Sequence, residues 1–143
     1  MCKNVSRRRL AWLCLVALIA GLGTAAGQDL RLVNAIVEQD PDAVEVLLAT
    51  GVDVNTPRAD GATALLWAAH WDDLDTVDKL LLAGADPNAA DDHGVTPLDR
   101  AAENASSTVV ERLLAGGARA TTVQVSGLTP LMIAARTGNE QVV

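Results

Sequence analysis

The sequence contains no phenylalanine and no tyrosine, and its only aromatic side chains are three tryptophans. A hydrophobic core must therefore be built from Ala, Leu and Val, which supply most of the 50% of residues that are hydrophobic. Small side chains suit closely stacked helices better than a β-sandwich, whose strands favour aromatic and β-branched residues. The composition predicts an all-α protein.

Basic residues are also scarce: 11 Lys and Arg face 18 Asp and Glu, which gives a formal net charge of −7. A nucleic-acid-binding protein needs a basic surface for its phosphate contacts, so this balance argues against that class. The hydrophobic fraction excludes an intrinsically disordered chain. A length of 143 residues corresponds to about one domain.

Motifs of catalysis and of cofactor binding are missing. After residue 27 the sequence has two histidines, no cysteine, no nucleophile elbow, no glycine-rich phosphate loop and no paired-carboxylate motif. His70, Asp92 and His93 match no standard metal-ligand spacing. We therefore predict a protein that is not an enzyme and binds neither a cofactor nor a metal.

Residues 1–27 have the layout of a secretory signal peptide. A basic stretch ends at Arg9, and the 13 apolar residues from Leu10 to Leu22 are too few to span a bilayer, which takes about 20. A tail of small residues offers cleavage after Ala26 or Gly27. The expected location is the periplasm or the exterior of the cell, and an uncleaved membrane anchor is the alternative.

Cleavage would remove both cysteines, Cys2 and Cys14, together with four basic residues and no acidic one. The remaining body would have 7 basic residues against 18 acidic ones, a net charge of −11, and no disulfide. Such acidity repels anionic membranes and nucleic acids, so neither is an expected partner.

The rest of the sequence repeats every 33 residues, an interval that separates Gly61, Gly94 and Gly127. Seven positions keep this interval through three copies without an insertion. The first members of these triplets are Leu48, Gly51, Gly61, Thr63, Leu65, Ala68 and Ala69.

The sequence pattern within each 33-residue unit predicts a helix, a short loop, a second helix and a hairpin-like connector. In the second copy, Thr63 is suited to cap the first helix, and an apolar stripe at helical spacing follows it. A polar break at Asp72 and Asp73 precedes the second helix, and Gly84 ends it in a left-handed conformation. A single unit cannot bury its stripe, so the units are expected to stack.

These motifs resemble the ankyrin repeat. Thr96-Pro97-Leu98 followed by Ala101-Ala102 is similar to the helix-opening motif of that family, and Gly84-Ala85-Asp86-Pro87-Asn88 is similar to its hairpin motif. The resemblance covers residues 30–143 and implies an all-α ankyrin-repeat solenoid with hairpin connectors. We assign residues 1–27 to the signal peptide and 28–143 to the repeat domain, with repeats at 28–60, 61–93 and 94–126 and an incomplete repeat at 127–143.

The sequence departs from the family pattern at two places. The histidine that usually follows Thr-Pro-Leu is replaced by Leu66, Asp99 and Met132 in the successive copies, and Asp99 is placed to form a capping-box-like pair with Thr96. The third hairpin has Arg119 and Thr121 where the earlier hairpins have Asp and Asn. We expect this hairpin to be the most irregular.

The resemblance implies that a protein partner binds the concave face formed by the hairpin tips and the ends of the first helices. Trp71 lies four residues after Trp67, which leaves two interpretations: both are core residues, or Trp71 is an exposed anchor, a role for which Trp is favoured. The residues predicted to bind the partner are Asp60, Ala62, His70, Trp71, Asp92, His93, Glu103, Asn104, Arg136 and Thr137.

We predict an exported, monomeric, non-enzymatic scaffold that binds a protein partner through this groove. The sequence stops at Val143, before the second helix of the fourth unit is complete, and such an end would leave an apolar face without a polar cap. We therefore expect the repeats to continue. The alternative function is a targeting or regulatory segment of a longer exported enzyme whose catalytic domain lies beyond residue 143.

Overall fold

The computed structural model describes residues 29–142, which fold into seven α-helices and contain no strand. The predicted signal peptide and both cysteines lie outside the described residues. Each helix has seven to nine residues, and none in the described part is long and apolar enough to cross a membrane. The helices are α1 (Arg31–Val37), α2 (Pro41–Ala49), α3 (Ala64–His70), α4 (Leu74–Leu82), α5 (Pro97–Glu103), α6 (Ser107–Ala115) and α7 (Pro130–Thr137).

Side-chain caps start the helices from α2 to α7. Thr63 accepts a hydrogen bond from the backbone N–H of Leu66, which confirms the predicted cap of α3. Thr96 and Asp99 form the predicted capping box at α5, in which each side chain accepts from the backbone N–H of the other. Caps of this kind each stabilise a helix by about 1 kcal/mol.

The helices form two stacked layers. The first helices of the units, α1, α3, α5 and α7, pack side by side in one layer, and α2, α4 and α6 each pack on the helix that precedes them. Ala68, Ala69 and Ala101 are completely buried, and their small side chains let neighbouring helices approach closely. Leu65, Leu80 and Leu113 fill the core between the layers. The predicted all-α solenoid is confirmed.

In each unit one residue with positive φ follows the first helix within two positions. These residues are Gln39, Asp72, Ala105 and Gly138, each 33 positions after the last, with φ between 55° and 70°. Glycine adopts this left-handed conformation without strain, whereas a side chain with a Cβ makes it unfavourable. The fourth unit alone has glycine there among the described residues.

The connectors between units are hairpin turns that all have the same backbone. In the third hairpin, Gln124 N–H donates to Leu128 C=O at 2.9 Å, as Arg58 N–H does to Ala62 C=O in the first. The third hairpin was expected to be the most irregular, and the turn at its tip does not show this. At its base it does differ, because Thr121 stands where Asn55 and Asn88 each bridge to the next unit through two hydrogen bonds.

Candidate protein-binding surface

Neighbouring hairpin tips are joined by backbone hydrogen bonds. Asp92 N–H donates to Asp60 C=O at 3.0 Å, and Val125 N–H donates to His93 C=O at 2.9 Å. The tips approach so closely that a Cβ on Gly61 would lie 3.0 Å from the backbone nitrogen of Asp92. Asp60, Asp92 and His93 are thus brought together on one exposed edge, and the side chain of His93 is 81% exposed.

Ala62 does not belong to this exposed edge. It is only 4% exposed, because the second leg of the hairpin turns inward there to enter α3. Val95, one unit later, is similarly buried at 8%. The side chain of Ala62 is therefore not accessible on this surface, in contrast to the other predicted hairpin residues.

The end of α3 carries a cluster of three aromatic rings. The ring of His70 lies 4.8 Å from that of Trp71 and 5.5 Å from that of Trp67, and the two indoles are 6.2 Å apart. Trp67 is half-buried and has the guanidinium of Arg58 at 5.8 Å, within the range of a cation–π contact. Trp71 is 41% exposed. Of the two interpretations, the structure therefore favours an exposed Trp71.

The comparison with protein families agrees with this geometry. A family model described as ankyrin repeats in three copies matches residues 32–124, and a second model, for the ankyrin repeat, matches residues 126–143. The chain belongs to the ankyrin repeat family. Ankyrin repeats are generally protein–protein interaction modules and are typically non-catalytic. A search of the curated proteins found no match to the chain.

At the end of α5, two predicted contact residues of the ankyrin domain have internal partners. The side-chain amide of Asn104 donates to the backbone carbonyls of Ala69 at 3.1 Å and His70 at 2.8 Å. Glu103 accepts from the guanidinium of Arg100 at 2.8 Å. Asn104 therefore joins the third unit to the end of α3, and part of the charge of Glu103 is already neutralised.

The last predicted residues, Arg136 and Thr137, lie exposed at the end of α7. The hydroxyl of Thr137 donates to the carbonyl of Ala134 at 2.7 Å, so this group is already bonded within the helix. Arg136 is the longer of the two side chains and has a charged group with five N–H donors. Along this face the side chains run from an aromatic cluster to an acidic and then a basic residue: His70, Glu103 and Arg136 occupy the same position in successive units.

Side chains that could form a metal centre are not assembled in this domain. Residues 29–142 contain no group of three or more His, Cys, Asp or Glu side chains placed to bind a metal ion. The carboxylate of Asp91 lies 3.9 Å from Nδ1 of His93 and also accepts from the backbone N–H groups of His93 and Val95. Asp91 thus shapes the hairpin.

Sequence reasoning missed a groove between the first two ankyrin units. It is lined by residues from the loop before α2, from α2 and from the start of α4, and Trp71 lies at its edge. Its volume is about 270 Å³. The 33-residue pattern does not reveal such a gap, but one signal was present: Trp71 is much larger than Glu38, Asn104 and Thr137, its counterparts in the other units.

Proposed function

We propose that the chain is an exported, non-enzymatic scaffold that binds a protein partner as a monomer through the concave ankyrin surface. The observation that carries this proposal is the bonded row of hairpin tips, in which Asp92 and His93 are fixed by backbone hydrogen bonds to their neighbours. A surface that is ordered before binding loses little conformational entropy when a partner docks, so its contacts contribute more fully to affinity.

Exposed side chains of different chemistry on the proposed binding surface support selection of one partner. Asp60 and Asp92 on the hairpin tips supply carboxylates, His93 supplies an imidazole, and Arg136 at the end of α7 supplies a guanidinium. Complementary charges at an interface fix the register of the partner and discourage wrong ones. Trp71 adds a large exposed ring, the residue type most enriched at binding hot spots.

The export part of the proposal is supported by the basic stretch, the apolar run and the small-residue tail within residues 1–27. A chain cleaved on export would begin near Gln28. N-terminal sequencing of the protein purified from its native cells tests this, and a mature chain that begins at Met1 would contradict cleavage.

Binding through the concave face is tested by two matched double variants. A partner captured with the full chain should bind His93→Ala/Arg136→Ala at least about 10-fold more weakly, because hot-spot truncations cost about 2 kcal/mol or more. Leu82→Ala/Glu111→Ala, at exposed positions of the outer helices, should bind as the wild type does. Affinity is measured by calorimetry. The assignment of the surface is wrong if the outer-helix variant weakens binding and the concave-face variant does not.

A further inference from the structure

The groove between α2 and α4 is a built cavity on a different edge of the domain. α4 packs against α6, but α2 and α4 make sparser contact, and the gap of about 270 Å³ opens at their N-terminal ends. Its floor is made by the buried side chains of Ile36, Val44 and Thr76. Further along the helices, Lys79 Nζ lies 3.1 Å from a carboxylate oxygen of Glu45 and bridges α4 to α2. Neither residue of this ion pair lines the groove.

Trp71 forms an aromatic wall of this groove. Its counterpart one unit later, Asn104, instead binds two backbone carbonyls of the preceding unit and ties the two units together. Trp71 lines the gap while 41% of its surface remains exposed to solvent. The difference at this one position gives the first junction an accessible ring where the second junction has a hydrogen-bonded bridge.

Two carboxylates, those of Asp40 and Asp73, line the same groove. Each uses Oδ1 to accept a backbone N–H at the start of a helix, from Ala43 and Thr76 respectively, and a carboxylate has lone pairs for further donors. Three other acidic residues, Glu38, Asp42 and Asp72, lie within the same two short segments, 38–42 and 72–73, which contain no basic residue.

Other nearby charges do not cancel this acidity. Lys79 is already paired with Asp75 at 2.8 Å and with Glu45, and hydrogen bonds to these two carboxylates raise the pKa of Lys79 above its ordinary value. The N-termini of α2 and α4 contribute only about half a positive charge each. Set against the two carboxylates that line the groove and the three that adjoin them in sequence, they leave the net charge of these segments negative.

We propose that this groove binds an arginine side chain of a partner protein. A guanidinium stacks on an indole and donates in a planar fork that matches carboxylates, and its aliphatic stem fits an apolar floor. Trp71, the pair Asp40 and Asp73, and the floor at Val44 supply these three features within one cavity. The site lies on the helix-loop edge and shares only Trp71 with the concave surface, so it does not depend on the function proposed above.

Titration of the full chain with a short blocked peptide, acetyl-Gly-Arg-Gly-amide, tests this site by NMR. The indole N–H signal of Trp71, assigned from the Trp71→Phe variant, should shift in a saturable way together with the amide signals of Val44 and Thr76. Blocked Gly-Lys-Gly should bind more weakly, because an ammonium lacks the planar fork. Gly-Leu-Gly and Gly-Glu-Gly should cause no saturable shift.

Two variants measure separately what the ring of Trp71 and the carboxylates of Asp40 and Asp73 contribute to peptide binding. Trp71→Leu should weaken binding of the arginine peptide about 5- to 30-fold through loss of the cation–π contact. Asp40→Asn/Asp73→Asn should weaken it and reduce its dependence on salt, while Asn preserves the helix caps. Asp53→Asn/Asp86→Asn is the matched control, since it removes two exposed carboxylates that also accept backbone N–H groups, away from the groove.

The outcomes are distinct from those of the concave-face test. Equal binding of the leucine and arginine peptides would overturn the arginine site. An equal loss of affinity in the control variant Asp53→Asn/Asp86→Asn and the groove variant Asp40→Asn/Asp73→Asn would overturn it as well. A concave-face variant that loses its partner leaves the peptide titration unaffected, because His93 and Arg136 do not line the groove.

Discussion

Arg58 and Trp67, where the first unit meets the second, occupy the positions that Asp91 and Arg100 occupy where the second unit meets the third. At the first of these junctions a guanidinium on the hairpin lies 5.8 Å from the centre of an indole on the helix, and at the second a carboxylate on the hairpin lies 4.0 Å from a guanidinium on the helix. The backbone is the same in both, but the contact that connects hairpin to helix has changed its chemistry. The repeat therefore fixes where two side chains meet and leaves open what they are.

The second and third units also differ at two equivalent positions, one of which is buried and one of which has a strained backbone. Leu66 is an apolar core residue, whereas Asp99 at the equivalent place is completely buried and accepts from both the N–H and the hydroxyl of Thr96. Asp72 and Ala105 both have positive φ, a conformation that Asp tolerates better than Ala. These differences show how much side-chain variation one backbone accepts, and each can be measured.

The largest effect is expected at Asp99. Asp99→Ala should lower the free energy of unfolding by about 1–3 kcal/mol, because it leaves the buried donors of Thr96 without their acceptor. Asp99→Leu, which copies Leu66, should lose less, because its side chain fills the buried space that Ala leaves empty. Both variants remove Oδ1, a buried oxygen with no hydrogen-bond partner among the described residues, so this atom does not distinguish them. Urea unfolding measures both. A larger loss for Asp99→Leu than for Asp99→Ala would show that the two units are not interchangeable here.

The repeat period was enough to predict the helices, the threonine caps of the first helices from the second unit on, and the stacking of the units. Each of these depends on residues within one unit, such as Thr63 and the stripe from Leu65 to Ala69, and a pattern repeated every 33 residues reports them directly. The capping box of Asp99 was predictable for the same reason, since its two partners are three residues apart.

The surface was less predictable because it depends on how one unit sits against the next. The burial of Ala62 follows from the inward turn of the hairpin, and the bonds from Asn104 reach carbonyls 34 and 35 residues away. The groove beside Trp71 similarly depends on the separation of α2 from α4. A pattern within one unit does not report how far the side chains of that unit lie from the next unit.

A gain in stability is expected from Ala105→Gly. Relief of the left-handed strain at Ala105 contributes about 1–2 kcal/mol, and the greater entropy of glycine in the unfolded chain offsets part of it, so the net gain should be about 0.5–1 kcal/mol. Asp72→Gly in the second unit should gain less, because Asp tolerates positive φ. Thermal unfolding measures the two shifts, with Ala115→Gly in α6 as a helical control that should destabilise. Equal gains at positions 72 and 105 would contradict the difference between the units.

The smallest effect is expected from the two side-chain contacts that join a hairpin to the helix after it. Arg100→Ala and Arg58→Ala should each lower the free energy of unfolding by only about 0.5 kcal/mol, because a partly exposed ion pair or cation–π contact contributes little. Arg100 contacts the charged Asp91 and Glu103, whereas Arg58 contacts a neutral ring. Salt distinguishes them, since raising it from about 0.05 M to about 1 M shortens the Debye length and weakens attraction between opposite charges. Arg100→Ala should therefore cost less at high salt, while the cost of Arg58→Ala should change little. If both costs fell in parallel with salt, the contact of Arg58 would be governed by nearby carboxylates such as Asp60 rather than by Trp67.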